Sequence, residues 1–502
     1  MNAEKHANRV LFLNTLAFLV CFAAWTLYAV LITYLQDHQV VHFDKGQIGW
    51  LIGIPILTGS ILRLPIGILA DKIGGKPVYI AVMVIAGIAM YLTSYASDFT
   101  TFLIGGLAFG ISGASFAVGV AYTSLWFPKA KQGTALGLFG MGNIGTAVTA
   151  LLAPKLLDSV TRKGEDMAAW RQVPQIYAGA LIAMAVIFAL LAVPKKSEAK
   201  ARTMGELLKP LANVRVWRFG LYYFVLFGGF VAISQWLIPY YLNVYGLTVA
   251  AAGAMSIAFS IPSAVTRALG GFLSDRIGAR STLYIVFSVV SILFLFLVAP
   301  KMEITSPGEG LLADKKGVVT AVSNSQVVAG GVTYNLKARG EDNVGKYDSE
   351  TVVWPVFHSW QEPSVKVGDT VTKKQILARG LTHVYFQANR MVFSTLLFIA
   401  GIMMGLGMAA VYKHIPTYFP NDIGAVGGMV GVLGGLGGFV FPIIFGQFLK
   451  ATGLWTSCWF LIACLSLIAM AWMHFSILKM QHESADVHEA DEIPLKPVAG
   501  VR

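Results

Sequence analysis

Apolar residues run along this chain in long blocks rather than at the spacing of half-buried helices or strands. Blocks at 9–36, 47–70, 77–95, 100–126, 133–157 and 174–193 are followed by six more at 217–244, 249–274, 281–299, 391–413, 423–449 and 455–478. Each reaches the length of about 20 residues that crosses a hydrocarbon core about 30 Å thick. The pattern predicts twelve membrane-spanning helices, with no Asp or Glu in the interior of any of them. It breaks once, at 300–388, where the chain turns polar and β-branched, with turn signals, between two apolar blocks. Within it, "GVVTAVSNSQVVAGGVTYNLK" (317–337) reads as two β-rich runs around a Ser-Asn-Ser turn.

Two marks recur. "RLPIGILADKIGGK" begins at Arg63 and "RALGGFLSDRIGAR" at Arg267, 204 residues on; Phe127-Pro128 returns as Phe419-Pro420, 292 residues on. The two offsets differ by 88 residues, about the length of the polar segment, so the halves match once 300–388 is set aside. Two parallel repeats of six helices with a site between them at mid-membrane is a carrier architecture. The expected organisation is a six-helix bundle at 1–193, a cytoplasmic linker at 194–216 and the first three helices of a second bundle at 217–299. The β-rich insertion at 300–388, the last three helices at 389–478 and a cytoplasmic tail at 479–502 follow. "VKVGDTVTKKQILARG" (365–380) resembles a hairpin of biotinyl/lipoyl-like barrels. No lysine there sits in an attachment motif, so the resemblance implies a β-architecture and no cofactor.

Composition agrees with a membrane protein. Only 13% of the 502 residues are charged and 56% are hydrophobic, against about a quarter charged in soluble chains. The net charge of +12 fits loop lysines and arginines better than a nucleic-acid surface. With the N-terminus inside, cytoplasmic loops and the helix ends beside them hold fourteen Lys/Arg, and those on the opposite side, the segment between spans nine and ten apart, hold six. That bias places both termini in the cytoplasm and the insertion outside, in a multi-pass protein of the cytoplasmic membrane. The first block is too long and too aromatic for a cleaved signal peptide. Cys21, Cys458 and Cys464 all lie in apolar blocks, which gives neither a disulfide framework nor a metal site.

The candidate chemistry is two arginines in lipid. Arg63 and Arg267 each precede an aspartate by eight residues, Asp71 and Asp275, which mark helix ends. Eight residues of helix are about 12 Å, which places both guanidinium groups near the middle of the bilayer. A charge there costs at least about 2.5–3.5 kcal/mol. With no carboxylate in the helices to pair with, the missing counter-charge is read as the cargo, a small planar oxyanion gripped by two planar forks of donors. The competing reading has both arginines bonding backbone carbonyls at a helix interface.

The signals Gly67, Asp71, Gly74 and Gly271, Asp275, Gly278 after the arginines resemble the cytoplasmic loop motif of the major facilitator superfamily. There the aspartate and the following basic residue, here Arg276, brace helices in one conformation and release them in another. The stretch from Gly105 to Gly145 holds Gly110, Gly113, Gly137, Gly140, Gly142 and Gly145, and "GGMVGVLGGLGGFVFP" (427–442) holds Gly431, Gly434, Gly435, Gly437 and Gly438. These stretches resemble the nitrate signatures of the nitrate/nitrite porter family within that superfamily, and the resemblance covers all twelve spans but not the insertion. It implies an all-α, twelve-helix fold acting as a monomer in the lipid bilayer, to which composition and loop charge add a β-rich extracytoplasmic insertion. It implies that Arg63 and Arg267 bind the anion, that Asn143 adds neutral donors, and that Phe116, Tyr223 and Phe227 wall the site. Seven glycines within 427–438 exceed packing needs and suggest helices that slide or rock around a small site.

The cargo is then nitrate and nitrite. Proton-linked nitrate import is expected from the first block, "LAFLVCFAAWTLYAVLITYLQ" (16–36), which resembles the proton-linked branch. Nitrate/nitrite exchange is the alternative, favoured by the lack of a titratable group at mid-membrane. A membrane sensor whose outer β-domain binds a partner is a reading from another class. No Ser/His/Asp, Cys/His or metal-ligand constellation points to an enzyme, and no cofactor is implied.

Overall fold

A computed structural model describes residues 2–196, 204–299, 302–339, 356–386, 389–419 and 423–491. The linker residues 197–203, Pro420 and the tail from 492 lie outside the described residues. Twelve helices are long and apolar enough to cross a membrane. They are α1 (His6–Asp37), α2 (Lys45–Ile73), α3 (Gly75–Thr93), α4 (Phe99–Ser124), α5 (Ala135–Val160) and α6 (Met167–Leu191), then α7 (Val214–Tyr245), α8 (Val249–Ser274), α9 (Ala279–Leu297), α10 (Arg390–Ile415), α11 (Ala425–Thr452) and α12 (Ser457–Gln481). Every predicted block falls on one of them. Phe12, Ile88, Leu190 and Phe475 are exposed, as a lipid-facing surface requires.

An even number of spans returns the chain to the face where it began. We call the face of the termini proximal and that of the 38–44 turn distal. Gly74 and Gly278, the last glycines of the two repeated signals, close proximal turns with φ of +97° and +85°, a conformation that a Cβ disfavours. At the distal face Asp44 caps α2: its Oδ1 accepts from the Gln47 amide, and the Gln47 side chain accepts from the Asp44 amide.

Several helices are not continuous. α1 is interrupted at Thr26, between Trp25 and Leu27, and α2 at Leu62, one residue before Arg63. Tight 3₁₀ segments replace α-helix at Gly110–Ala114 in α4 and Met141–Ile144 in α5, and a π segment at Phe224–Gly228 lies in α7. Such local changes of winding re-aim side chains and collect at functional sites.

The segment between α9 and α10 is a separate compact unit, residues 297–395. Its strands are β1 (Met302–Leu312), β2 (Gly317–Val322), β3 (Gln326–Ala329), β4 (Val332–Asn335), β5 (Val356–Pro363), β6 (Thr370–Val371) and β7 (Ile376–Phe386). They form a three-stranded sheet in the order β1-β7-β5 and a four-stranded sheet in the order β4-β3-β2-β6. Val319, Val327, Val371, Leu377 and Ala378 are buried together in its core.

Candidate functional site

The two halves of the helical unit meet most closely near the distal face. A Cβ on Gly49 of α2 would run into the Pro442 carbonyl of α11, and one on Gly53 would lie 2.7 Å from the Phe439 carbonyl oxygen. From the other side, a Cβ on Gly446 of α11 would lie 2.5 Å from the Lys45 carbonyl oxygen. Gly253 of α8 likewise leaves room only for the Ala150 carbonyl of α5. An ion pair joins α2 and α11 as well, Lys450 Nζ to Asp44 Oδ2 at 3.0 Å. Toward the proximal face the same seams are looser: Gly428 stands 3.6 Å from Leu64 and Gly137 4.0 Å from Ala268, measured from an ideal Cβ. The seam is closed at the distal face and slackens toward the proximal one.

Arg63 and Arg267 lie between these levels. Arg63 is 3% exposed, and Arg267 is partly buried. The Arg63 guanidinium carbon stands 5.1 Å from the ring centre of Phe116 and 5.4 Å from that of Phe227. That of Arg267 stands 5.6 Å and 5.9 Å from the same two rings. Two cations from opposite halves thus share one aromatic pair, Phe116 from α4 and Phe227 from α7. Trp25 of α1 adds a third ring, 5.6 Å from Arg63. Each ring face offers a cation roughly 0.5–2 kcal/mol of attraction, which offsets part of the burial cost and excludes water without neutralising charge.

The donors are only partly used. Arg63 Nη1 donates to the Gly431 carbonyl oxygen on the opposite half at 2.8 Å, and Arg267 Nη2 donates to the Tyr223 hydroxyl at 2.9 Å. The carbonyl contact expected of two merely structural arginines is therefore present for Arg63 alone. Arg63 Nε and Nη2, Arg267 Nη1, both polar side-chain atoms of Asn143 and the Ser60 hydroxyl are buried without a partner among the described residues. Unmet buried donors on two permanent cations are costly, and an oxyanion is the group whose lone pairs and charge would satisfy them.

The local chain explains the placement. Asn143 lies in the 3₁₀ segment of α5, one turn from Gly140, whose ideal Cβ stands 3.7 Å from Arg267 Nε. In mirror fashion α11 presents glycine to Arg63: a Cβ on Gly435 would lie 3.3 Å from Arg63 Nη1 and 2.9 Å from Ser60 Cβ. Each arginine thus rests on a glycine-lined helix of the other half. Phe227 belongs to the π segment of α7 and stacks on Tyr223, with ring centres 5.0 Å apart.

The remaining signature glycines divide by neighbour. Gly110 and Gly113 admit Pro55 and Trp25, and Gly142 and Gly145 admit Phe18 and Leu19, all within the first half. Gly434 and Gly437 admit Tyr223 and Phe224 within the second half. Gly137, Gly140, Gly431, Gly435 and Gly438 border the seam; the nearest neighbour of Gly438 is Ile56 of α2, 2.9 Å from an ideal Cβ. Asp71 is exposed at the proximal end of α2, Gly67 and Gly271 have room around them, and Arg276 lies over Phe272 at 4.4 Å. The Asp275 side chain lies outside the described residues.

Three neighbours were not singled out from the sequence: Trp25, Ser60 and Tyr412. The Tyr412 hydroxyl donates to the Gly427 carbonyl oxygen at 3.1 Å, and its ring meets Tyr223 edge-on at 5.0 Å. A polar side chain near the depth of Arg63 was the signal for Ser60. Trp25 carried none beyond its type.

A twelve-helix bundle whose halves clamp a cationic cleft is the build of a secondary carrier. Residues 13–308 match the Major Facilitator Superfamily, so the protein is a multi-pass membrane carrier of that class. Among solved structures, a bacterial homologue of the human lysosomal transporter Spinster, in an inward-facing and occupied conformation, aligns with a TM-score of 0.57 at 16% identity, covering 94% of this chain and 96% of that one. The nucleoside transporter NupG aligns with a TM-score of 0.57 at 13% identity, over 93% of this chain and 99% of its own. Both likenesses concern the fold. In sequence, the chain is 35% identical over 494 residues to the probable nitrate/nitrite antiporter NarK1 of Thermus thermophilus, covering 97% of this chain and 95% of that protein. It is 25% identical over 466 residues to the nitrite extrusion protein of Bacillus subtilis (strain 168), covering 92% and 93%. The chain belongs to the nitrate/nitrite porter family of the major facilitator superfamily.

Proposed function

We propose that this chain carries nitrate and nitrite across the cytoplasmic membrane by alternating access, as a monomer, with Arg63 and Arg267 gripping the anion from opposite halves. The observation that carries the reading is the pair of guanidinium groups sharing Phe116 and Phe227 while three of their N–H-bearing nitrogens have no partner among the described residues. Nitrate is small, planar and singly charged, so it can accept from both forks at once while the phenyl rings keep water out. Asn143 and Ser60 complete the donor set. The charge bias of the loops supports a cytoplasmic proximal face and a β-rich unit outside.

Exchange of nitrate for nitrite is the coupling the site chemistry favours. Two facing cations are neutralised only in part by either anion, and each crossing proceeds with an anion between them. A ligand can drive the transition only through its preference for the closed state, which a bridging anion has. The name of the Thermus thermophilus relative points the same way. Proton-linked nitrate import is the second reading, favoured by the resemblance of the first helix, residues 16–36, to the proton-linked branch. Uptake of labelled nitrate into proteoliposomes decides between them. Exchange requires internal nitrite or nitrate and is indifferent to a pH step; proton-linked import needs no internal anion and rises with external acid. No uptake under either condition overturns the reading of the cargo.

A further inference from the structure

The distal side of the seam holds two cavities. The outer one, about 470 Å³, is lined by Gln36, His42, Lys45, Trp236, Asn243 and Trp455 among others. The inner one, about 10 Å³, is lined from α1, α5 and α7 and includes Thr146, Ser234 and Gln235. Its volume is that of a single water molecule.

Three helices give the same order of levels. Along α1, Trp25 stands on Arg63, Thr26 and Ala29 line the small cavity, and Thr33 and Gln36 line the large one. Along α7, Phe227 belongs to the arginine site, Ser234 and Gln235 to the small cavity, and Pro239 and Asn243 to the large one. Along α5, Thr146 comes about 4.5 Å after Asn143 in the distal direction. The small cavity is thus an intermediate level between the arginines and the distal vestibule.

Its side chains behave unlike their neighbours. Thr26 and Thr33 satisfy their hydroxyls on carbonyls four residues back, and Thr149 donates across to the Ala23 carbonyl. Thr146 Oγ1, Ser234 Oγ and Gln235 Oε1 have no partner among the described residues, although these residues are 4%, 2% and 0% exposed. Gln235 Nε2 is held only by a long contact of 3.3 Å to the Val231 carbonyl. Two unmet hydroxyls, Thr146 from the first half and Ser234 from the second, meet at this cavity beside the Gln235 amide, whose donor Nε2 is only loosely engaged.

We propose that Thr146, Ser234 and Gln235 form a dehydration station for a small oxyanion on the distal approach to the arginines. This rests on the reading of nitrate as the cargo. An anion bound for a phenyl-walled cleft must shed its water first, and losing those hydrogen bonds without replacement is a barrier. Two hydroxyls and a loosely held amide replace them one level earlier. Because α5 and α7 belong to opposite halves, distal opening separates the three groups to ion width, and distal closure returns them to the space of one water.

The test uses Thr146→Val with Ser234→Ala, near-isosteric changes that remove both hydroxyls, and separately Gln235→Leu. In proteoliposomes of defined orientation, the KM for nitrate entering from the distal side is expected to rise about tenfold. Equilibrium binding of nitrate to the purified protein, and KM from the proximal side, are expected to stay within about twofold. Wild-type uptake with an unchanged distal KM in the double variant overturns the station alone. Parallel loss of equilibrium binding overturns it too, by assigning these groups to the arginine site. A wild-type protein that takes up no nitrate removes the cargo reading and the station with it.

Discussion

Arg63 and Arg267 matter because each holds a permanent charge that no carboxylate offsets among the described residues around it, while the aromatic rings that touch one touch the other. Arg63→Lys and Arg267→Lys keep the charge and lose the planar fork. Each is expected to lower nitrate uptake on the order of a hundredfold or more with normal amounts of folded protein in the membrane; near-normal uptake by either variant would remove the clamp. Gly435→Ala places a methyl group against Ser60 and 3.3 Å from Arg63 Nη1. Overpacking of this kind costs about 1–3 kcal/mol, so nitrate affinity is expected to fall about tenfold, with partial recovery when Ser60→Gly is added. The arginines were legible in the sequence because a guanidinium inside an apolar block is rare and expensive. Asn143, Phe116, Tyr223 and Phe227 needed a family resemblance, since these types are common in membrane helices. Tyr412 and Trp25 were not legible, because their position depends on how α1 packs on α2 and α4, and α10 on α7 and α11, and not on any pattern along the chain.

At the scale of elements, α2 and α11 form the distal closure. Gly49→Ala sets a Cβ against the Pro442 carbonyl and penalises only the closed arrangement, so the equilibrium shifts toward distal opening. A cysteine at Ile238, which lines the inner cavity and is 2% exposed, is expected to be labelled about tenfold faster in that background; unchanged labelling would show that the contact does not limit closure. The Asp44–Lys450 pair reports on pH with a definite sign. The Gln47 amide first, and the Lys450 ammonium second, hold the Asp44 carboxyl below the usual carboxylate range. A depressed folded pKa means that the contribution is complete above the ordinary carboxylate range and is lost only as pH falls through the lowered value. The pair is therefore intact throughout pH 5–8, and Asp44→Asn, which keeps a helix cap, is expected to speed distal opening about two- to threefold by the same amount at both ends of that window. A pH-dependent difference there would assign the effect to another group. The twelve helices were legible as apolar blocks, yet the interruptions at Leu62, Gly110–Ala114, Met141–Ile144 and Phe224–Gly228 were not. Glycine permits a tight turn, a close approach or plain helix, and only Leu19, Trp25, Phe18 and Pro55 pressing on Gly145, Gly113, Gly142 and Gly110 decide among them.

For the whole molecule, the two halves match without residues 300–388, and that stretch folds as its own compact unit. Replacing 303–386 with a short flexible linker is expected to leave nitrate uptake within a few-fold of the parent; loss of uptake by a well-inserted deletion protein would assign the unit a part in transport. On the proposed reading one anion bridges the two arginines, and titration calorimetry of the purified protein with nitrate at fixed ionic strength tests this directly. The expected result is one nitrate per chain, displaced by nitrite and not by sulfate, with binding lost in both Arg63→Lys and Arg267→Lys. Undiminished nitrate binding in both variants would contradict the account.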